Sequence, residues 1–414
     1  MTIYSVFRKY LNVQNSNFII YLGTDLLSKI IPFAFVPLFT KYLTPTQYGN
    51  ISLFNISLEI MVIIIVMGGN AYYKVEFINH QSPKVLLFNL IVNVTYIFIF
   101  VLLLSFLFYF FNFNQYLLIL LPVIAITAYF QSLLYIFISY YQTAENAMVV
   151  GGVNLFFSIV NSFLMVFLLM KMNFHEGARY WSVSISSILS VMIAFVFFHR
   201  HWDGVKDYRI NKPFFRFGVG MLPHALSWWA RSGIDRLLIN WFLSVSVMGI
   251  YSLAMQITSV MPIFCNALNQ ALLPSIVRYL SKKNCRAVES ILLKASLFLI
   301  AICFFSAAIV PFLFKYFIDS KYQGALEYLP YMLILFSFQG ILIIYSNVVY
   351  YYKQVKFLSV VTFPTSILHI LFVILLMNHG FGIMSVIIST GVTFFISMCF
   401  VYYKAKKLMQ LQTK

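Results

Sequence analysis

Apolar runs of more than about 18 residues recur between residues 17 and 403, each long enough to cross the hydrocarbon core of a bilayer as a helix. In lipid every backbone N–H and C=O must be satisfied inside the structure, so runs of this kind leave the chain a helical bundle to fold into. Counting them gives twelve spans, centred near residues 29, 60, 98, 128, 158, 188, 228, 257, 300, 339, 367 and 392. With 62% of residues hydrophobic and 9% charged, and with residues 200–213 as the longest interruption, no separate soluble domain has enough chain to form. The expected fold is therefore an all-α polytopic membrane protein of 12 transmembrane helices, and any chemistry must sit within the bundle or at its faces.

Twelve spans put both termini on one side, and the basic residues say which. Of 28 Lys and Arg, only Lys41, Lys171, Arg179, Lys315 and Lys321 fall on the opposite face, and Lys29, Arg231 and Arg236 fall within spans. The other twenty share the face of the termini, which makes that face cytoplasmic. The same distribution accounts for the formal charge of +17: the cations report orientation and contact with membrane lipids through anionic headgroups, and no nucleic acid partner is expected. Cys265, Cys285, Cys303 and Cys399 lie in or beside spans without a CxxC pair, so they read as core thiols and not as a disulfide or metal framework. No HExxH occurs, and the His199/His201 pair falls in the basic loop, so no metal is expected. The segment at residues 3–13 carries Arg8 and Lys9 ahead of a span without a clear cleavage site, which reads as an interfacial helix leading into a retained first span.

The basic loop divides the spans six and six. This predicts an N-terminal six-helix lobe at residues 1–199, a cytoplasmic linker at 200–213 and a C-terminal six-helix lobe at 214–414, arranged around a central cavity. LTPTQYGNISL (residues 43–53), between spans one and two, has a counterpart in LSVSVMGIYSL (residues 243–253), between spans seven and eight. Leu, Ser/Thr, Gly and Ser-Leu recur at matching positions of the two halves, as an internal duplication would leave them. Thr44, Pro45 and Gln47 form a capping box, Ser244 can cap the eighth span, and Gly49 and Gly249 permit a close helix approach. Because each half has an even number of spans, the repeat is parallel, about an axis along the membrane normal.

IDRLLINWFLSVSVMGIYSLAMQI (residues 234–257) resembles the Asp-Arg, hydrophobic, Gly-x-Tyr-Ser-Leu-Ala signature of polysaccharide flippases in the multidrug/oligosaccharidyl-lipid/polysaccharide exporter superfamily, and FTKYLTPTQYGNISLF (residues 39–54) resembles the first-half counterpart. The sharp likeness covers some forty residues, while span count, duplication and length extend it over nearly the whole chain. The resemblance implies movement of undecaprenyl-pyrophosphate-linked oligosaccharides, often O-antigen repeats, from the cytoplasmic to the periplasmic leaflet of a bacterial inner membrane. It also implies an O-antigen polymerase and a chain-length regulator as partners.

Asp25, Lys29, Glu59, Arg231, Asp235 and Arg236 lie within spans. At about 3 kcal/mol each, leaving all six against lipid would cost roughly 18 kcal/mol, so they are expected to pair or to line a hydrated interior. In span seven His224, Trp228, Arg231 and Asp235 recur at i, i+4, i+7 and i+11, one stripe, with Arg236 about 100° away. Asp25 and Lys29 are i, i+4 in span one. Asn55 shares a face with Ser52 and Glu59, Asn89 with Asn93 and Tyr96, Asn154 with Ser158 and Asn161, and His369 with Thr362 and Thr365. Arg231, Arg236, Lys29, His224 and His369 are expected to attract pyrophosphate, because cations hold phosphate oxygens strongly in a low dielectric. Trp228, Asn55 and Asn154 are expected to supply stacking and tolerant hydrogen bonds for sugars. Glu59, Asp235 and Asp25 are the carboxylates expected to be buried enough to carry a coupling H⁺ or Na⁺.

Neither a catalytic constellation nor a cofactor is expected: there is no GxxxxGK[ST], and the outer loops are short. A drug or metabolite antiporter of the same superfamily would share the fold but favour a smaller, more acidic cavity. A polymerase or polyprenyl-dependent glycosyltransferase would need a sizeable extramembrane loop that this chain lacks.

Overall fold

The computed structural model describes residues 20, 23–77, 83–110, 116–199 and 212–411, with the side chains of residues 109, 110, 116–119, 199, 224, 227, 228, 231, 232 and 355 excepted. The expected interfacial helix at residues 3–13 and the basic loop at 200–211 lie outside the described residues. Within them the chain is helical and contains no strand. Span one is α1 (residues 23–34) followed by α2 (Val36–Tyr42), and span two is α3 (Pro45–Val66) followed by α4 (Gly69–Glu76). Spans three to six are α5 (Pro83–Phe110), α6 (Tyr116–Thr143), α7 (Ala147–Lys171) and α8 (Gly177–His199). Span seven is α9 (Lys212–Phe242), and span eight is α10 (Val245–Thr258) running into α11 (Val260–Ser281). Spans nine to twelve are α12 (Cys285–Phe317), α13 (Leu329–Tyr351), α14 (Val355–Asn378) and α15 (Met384–Gln410).

Eleven of these spans are long and apolar enough to cross a membrane on length and composition alone. The twelfth, α9, has 31 residues and carries five charged ones, Lys212, Arg216, Arg231, Asp235 and Arg236. It is the most polar span because it holds the charged stripe. Small hydroxylated residues pack the helices closely throughout: Ser132, Thr127, Ser184, Ser187, Ser296, Ser346, Ser389 and Thr393 each donate to the carbonyl four residues back. That bond satisfies a buried hydroxyl without a partner helix and keeps the helix surface narrow.

The described residues of Met1–Leu43 and Leu53–Trp229 form one compact unit, and those of Thr44–Ser52 and Ala230–Lys414 form another. Two helices therefore divide between units: α3 after Ser52, and α9 after Trp229. In the first unit α5 packs on α6 and α7 on α8. In the second, α13 packs against both α12 and α15, and the apolar core there runs from Leu280 and Val288 through Val348 to Val401 and Ala405.

The first two turns of α3 belong to the second unit because of the repeated loop. Thr44 and Gln47 form the expected capping box, with Thr44 N donating to Gln47 Oε1 at 2.9 Å and Gln47 N to Thr44 Oγ1 at 3.3 Å. Ser244 caps α10, its Oγ accepting from Val247 N at 3.2 Å. The expected close approach at Gly49 and Gly249 is of the two copies to each other: a Cβ at Gly49 would collide with the Val245 carbonyl oxygen, and one at Gly249 with that of Pro45. Ser252 Oγ donates to Ser52 Oγ at 2.8 Å, between matching positions of the repeat.

Candidate functional site

The second unit contains one buried ionisable pair among its described residues, and it joins three helices. Asp235 of α9 is 5% exposed and His369 of α14 is 2% exposed, with His369 Nε2 2.7 Å from Asp235 Oδ1. Tyr251 of α10, also 2% exposed, donates from its hydroxyl to Asp235 Oδ2 at 3.4 Å. The α9–α10 hairpin turns within Leu243 and Ser244, which brings residues 235 and 251 alongside each other. Thr365, one turn before His369, donates to Val361 O at 2.9 Å and receives a bond from Ser397 Oγ of α15 at 3.0 Å. Among the described residues, His369 Nδ1 and the buried Nε of half-buried Arg236 have no hydrogen-bond partner.

An isolated carboxylate in such surroundings is costly, and a histidine beside it can hold the balancing charge. The two oxygens of Asp235 already face a ring nitrogen and a hydroxyl, which is not the oxygen-rich shell a metal cation prefers.

In the first unit Asp25 and Lys29 do pair, at 2.6 Å, but they are 56% and 46% exposed. Their helix docks through the neighbouring face. Ser158 of α7 donates to Ser28 O at 2.6 Å, and a Cβ on Gly151 would lie 2.6 Å from Thr24 Cγ2. Since Thr24 and Ser28 are spent on packing, Asp25 and Lys29, one residue on, are turned away from protein. Glu59 is also exposed, within electrostatic range of Tyr135 of α6. Of the three carboxylates expected to be buried enough for ion coupling, Asp235 is buried, whereas Asp25 and Glu59 are exposed.

Asn55 and Asn154 are half-buried. Asn93 is fully buried and donates back to Asn89 O at 2.6 Å, so part of the expected polar lining is helix packing. The side chains of His224, Trp228 and Arg231 lie outside the described residues, although α9 is continuous through them. Tyr251 was not among the expected site residues, and its position in the repeated loop was the available signal. Outside the spans, Tyr322 of the 3₁₀ turn Ser320–Ala325 is buried edge-on against Tyr48 at 5.8 Å. Burial first, then Tyr48 and Asp319, raise its phenol above the usual range, so it stays neutral.

Comparison with known proteins agrees with this architecture. The chain is 23% identical over 370 residues to "Lsg locus putative protein 1" of Haemophilus influenzae, covering 85% of this chain and 88% of that protein. It is 24% identical over 322 residues to an uncharacterized membrane protein of the same organism, covering 73% and 76%. Among solved structures it is similar to an inward-facing multidrug resistance MATE family transporter of the MOP superfamily, with TM-score 0.76 and 10% identity over 93% of this chain and 95% of that one. It is also similar to the lipid II flippase MurJ in an inward closed conformation, with TM-score 0.73 and 15% identity over 95% and 89%. These structures share the fold. The MatE family model matches residues 224–375, and the model described as "Polysaccharide biosynthesis protein" matches residues 15–280. With the latter match extending over more than half its length, the chain belongs to the polysaccharide biosynthesis protein family.

Proposed function

We propose that this protein moves an undecaprenyl-pyrophosphate-linked oligosaccharide, an O-antigen unit or a similar repeat, from the cytoplasmic to the periplasmic leaflet of a bacterial inner membrane. Movement is coupled to protons at Asp235 and His369, and the protein itself performs no covalent chemistry. Membership of the polysaccharide biosynthesis family supports the substrate class, and the buried Asp235–His369 contact is the observation that carries the coupling. His369 thereby passes from the phosphate-binding set to the coupling set, since its Nε2 faces a carboxylate. Arg231, Arg236, Lys29 and His224 remain the proposed pyrophosphate contacts, with Trp228, Asn55 and Asn154 for the sugars. Both termini are cytoplasmic in this reading, and the partners are a polymerase and a chain-length regulator that receive the exported unit.

Deletion in the native host, followed by analysis of lipid-linked intermediates, tests the reading. Accumulation of the complete repeat unit on the cytoplasmic face is expected; single unpolymerised repeats on lipid A core would assign the protein to polymerisation instead. The MatE match at residues 224–375 favours a second reading, a drug or metabolite antiporter. Proteoliposomes that extrude a cationic dye against a proton gradient, from a host whose lipid-linked intermediates are undisturbed, would establish it.

A further inference from the structure

Spans eight and ten hold five side-chain amides that have no part in the function proposed above: Asn266, Asn269 and Gln270 of α11, and Gln339 and Asn347 of α13. The two helices pack together within the second unit. Cys265 Sγ lies 3.8 Å from Phe336 O, a Cβ on Gly340 would come within 2.8 Å of Cys265 Sγ, and Asn347 Nδ2 donates to Asn269 Oδ1 at 2.6 Å. Residue numbers rise together along this seam, so α11 and α13 run in the same direction.

Helix geometry then places the remaining amides. Asn266 and Gln270 each follow a seam residue, Cys265 or Asn269, and are turned from the seam by about 100°. Gln339 precedes Gly340 and is turned as far in the opposite sense. For two parallel helices that face each other, a step forward on one and a step back on the other lead to the same side. The three amides therefore flank one groove, with the Asn269–Asn347 pair along its floor. Tyr350 lies on the same stripe of α13 as Gln339, about 16 Å further along, and is 55% exposed.

The groove is open, and its hydrogen bonds are unspent. Asn266 and Gln270 are exposed, and half-buried Gln339 has a covered Oε1 without a hydrogen-bond partner among the described residues. The bond from Asn347 engages the Asn269 oxygen and leaves the Asn269 N–H groups to donate elsewhere. Amides held against hydrocarbon would forfeit the hydrogen bonds that water gives them, so this side of α11 and α13 meets water or a ligand able to replace it.

Charge narrows the choice of ligand. Neither helix carries a carboxylate, and their one cation is Arg278, about two turns past Gln270. A cationic drug would call for carboxylates, and a phosphate for several cations. Amides both donate and accept, as sugar hydroxyls do, and an exposed tyrosine ring fits the apolar face of a pyranose.

We propose that the groove of Asn266, Asn269, Gln270, Gln339, Asn347 and Tyr350 binds the uncharged sugars of the lipid-linked oligosaccharide. The identity of the ligand rests on the flippase reading. Trp228, Asn55 and Asn154 belong to the first unit, so this is a separate sugar site in the second.

Equilibrium binding to the purified full chain in detergent tests the groove with two ligands. One is the lipid-linked oligosaccharide extracted from a native host lacking this protein; the other is undecaprenyl diphosphate without sugar. The wild type is expected to bind the sugar-bearing lipid at least about tenfold more tightly than the bare diphosphate. Asn266→Ala/Gln270→Ala, at exposed positions, is expected to reduce that preference to about threefold or less, with affinity for undecaprenyl diphosphate and melting temperature unchanged. A double variant that keeps the tenfold preference overturns the groove, as does a wild type that binds both lipids alike. Loss of affinity for both lipids together with earlier melting would make these amides part of the helix packing, and overturns it too. Binding of neither lipid by the wild type, or a deletion host that accumulates no lipid-linked oligosaccharide, overturns the flippase reading and with it the sugar ligand.

Discussion

Asp235 and His369 are separated by 134 residues and meet in a buried contact, so the two substitutions are expected to differ in cost. His369→Ala leaves the carboxylate buried without its main partner, a loss of about 3–5 kcal/mol. Asp235→Asn keeps a hydrogen-bonding oxygen and removes the charge, and is expected to cost about 1–3 kcal/mol while abolishing dependence on a proton gradient. Thermal unfolding of the purified variants checks the order, and equal losses would mean that the pair is not ionic. Asp25→Asn at the exposed pair is expected to change stability by less than about 1 kcal/mol, as surface ion pairs generally do. An export defect in a variant that melts normally would then belong to function. The pairing of Asp25 with Lys29 was legible in sequence because both lie on one turn of one helix. That of Asp235 with His369 was not: a helical stripe shows which residues share a face, not which distant helix meets it.

The helices are joined by local devices whose costs can be ranked. Thr44→Ala removes one half of the capping box and is expected to cost about 1 kcal/mol. Gly49→Ala must push a backbone carbonyl aside where the two copies meet and is expected to cost about 3 kcal/mol, visible as a lower melting temperature. The adjacent glycines of α7 provide a contrast. Gly151→Ala would press on Thr24, whereas among the described residues nothing lies within reach of a Cβ on Gly152, and Gly152→Ala is expected to be neutral or stabilising by about 0.5–1 kcal/mol. Comparable losses at Gly151 and Gly152 would contradict the close docking of α1 on α7. Sequence marked both caps and both repeat glycines, since a cap is decided within four residues and a close approach calls for glycine whatever the partner. It did not say that Gly49 and Gly249 approach each other.

Twelve spans put both termini on one face, and the bias of Lys and Arg predicts that this face is cytoplasmic and the Ser320–Ala325 turn outside. Lys321→Cys is expected to react with an impermeant maleimide in intact cells, and Lys407→Cys only after permeabilisation; the reverse pattern would invert the proposed direction of transport. Length, apolar periodicity and the bias of Lys and Arg establish the class of fold and imply this orientation, because insertion into a bilayer responds to hydrophobicity and flanking charge summed over short segments. The halves of the sequence do not coincide with the units of the structure. Thr44–Ser52 packs with the C-terminal unit and α9 passes from one unit to the other at Trp229 and Ala230. Neither could be read from the linear order, because α3 and α9 run unbroken through the points where they divide, and their division depends on which side chains and carbonyls lie opposite. The same holds for the candidate site: hydropathy shows that a carboxylate in span seven must be compensated, while the packing of α9, α10 and α14 makes Tyr251 and His369 the groups that surround it.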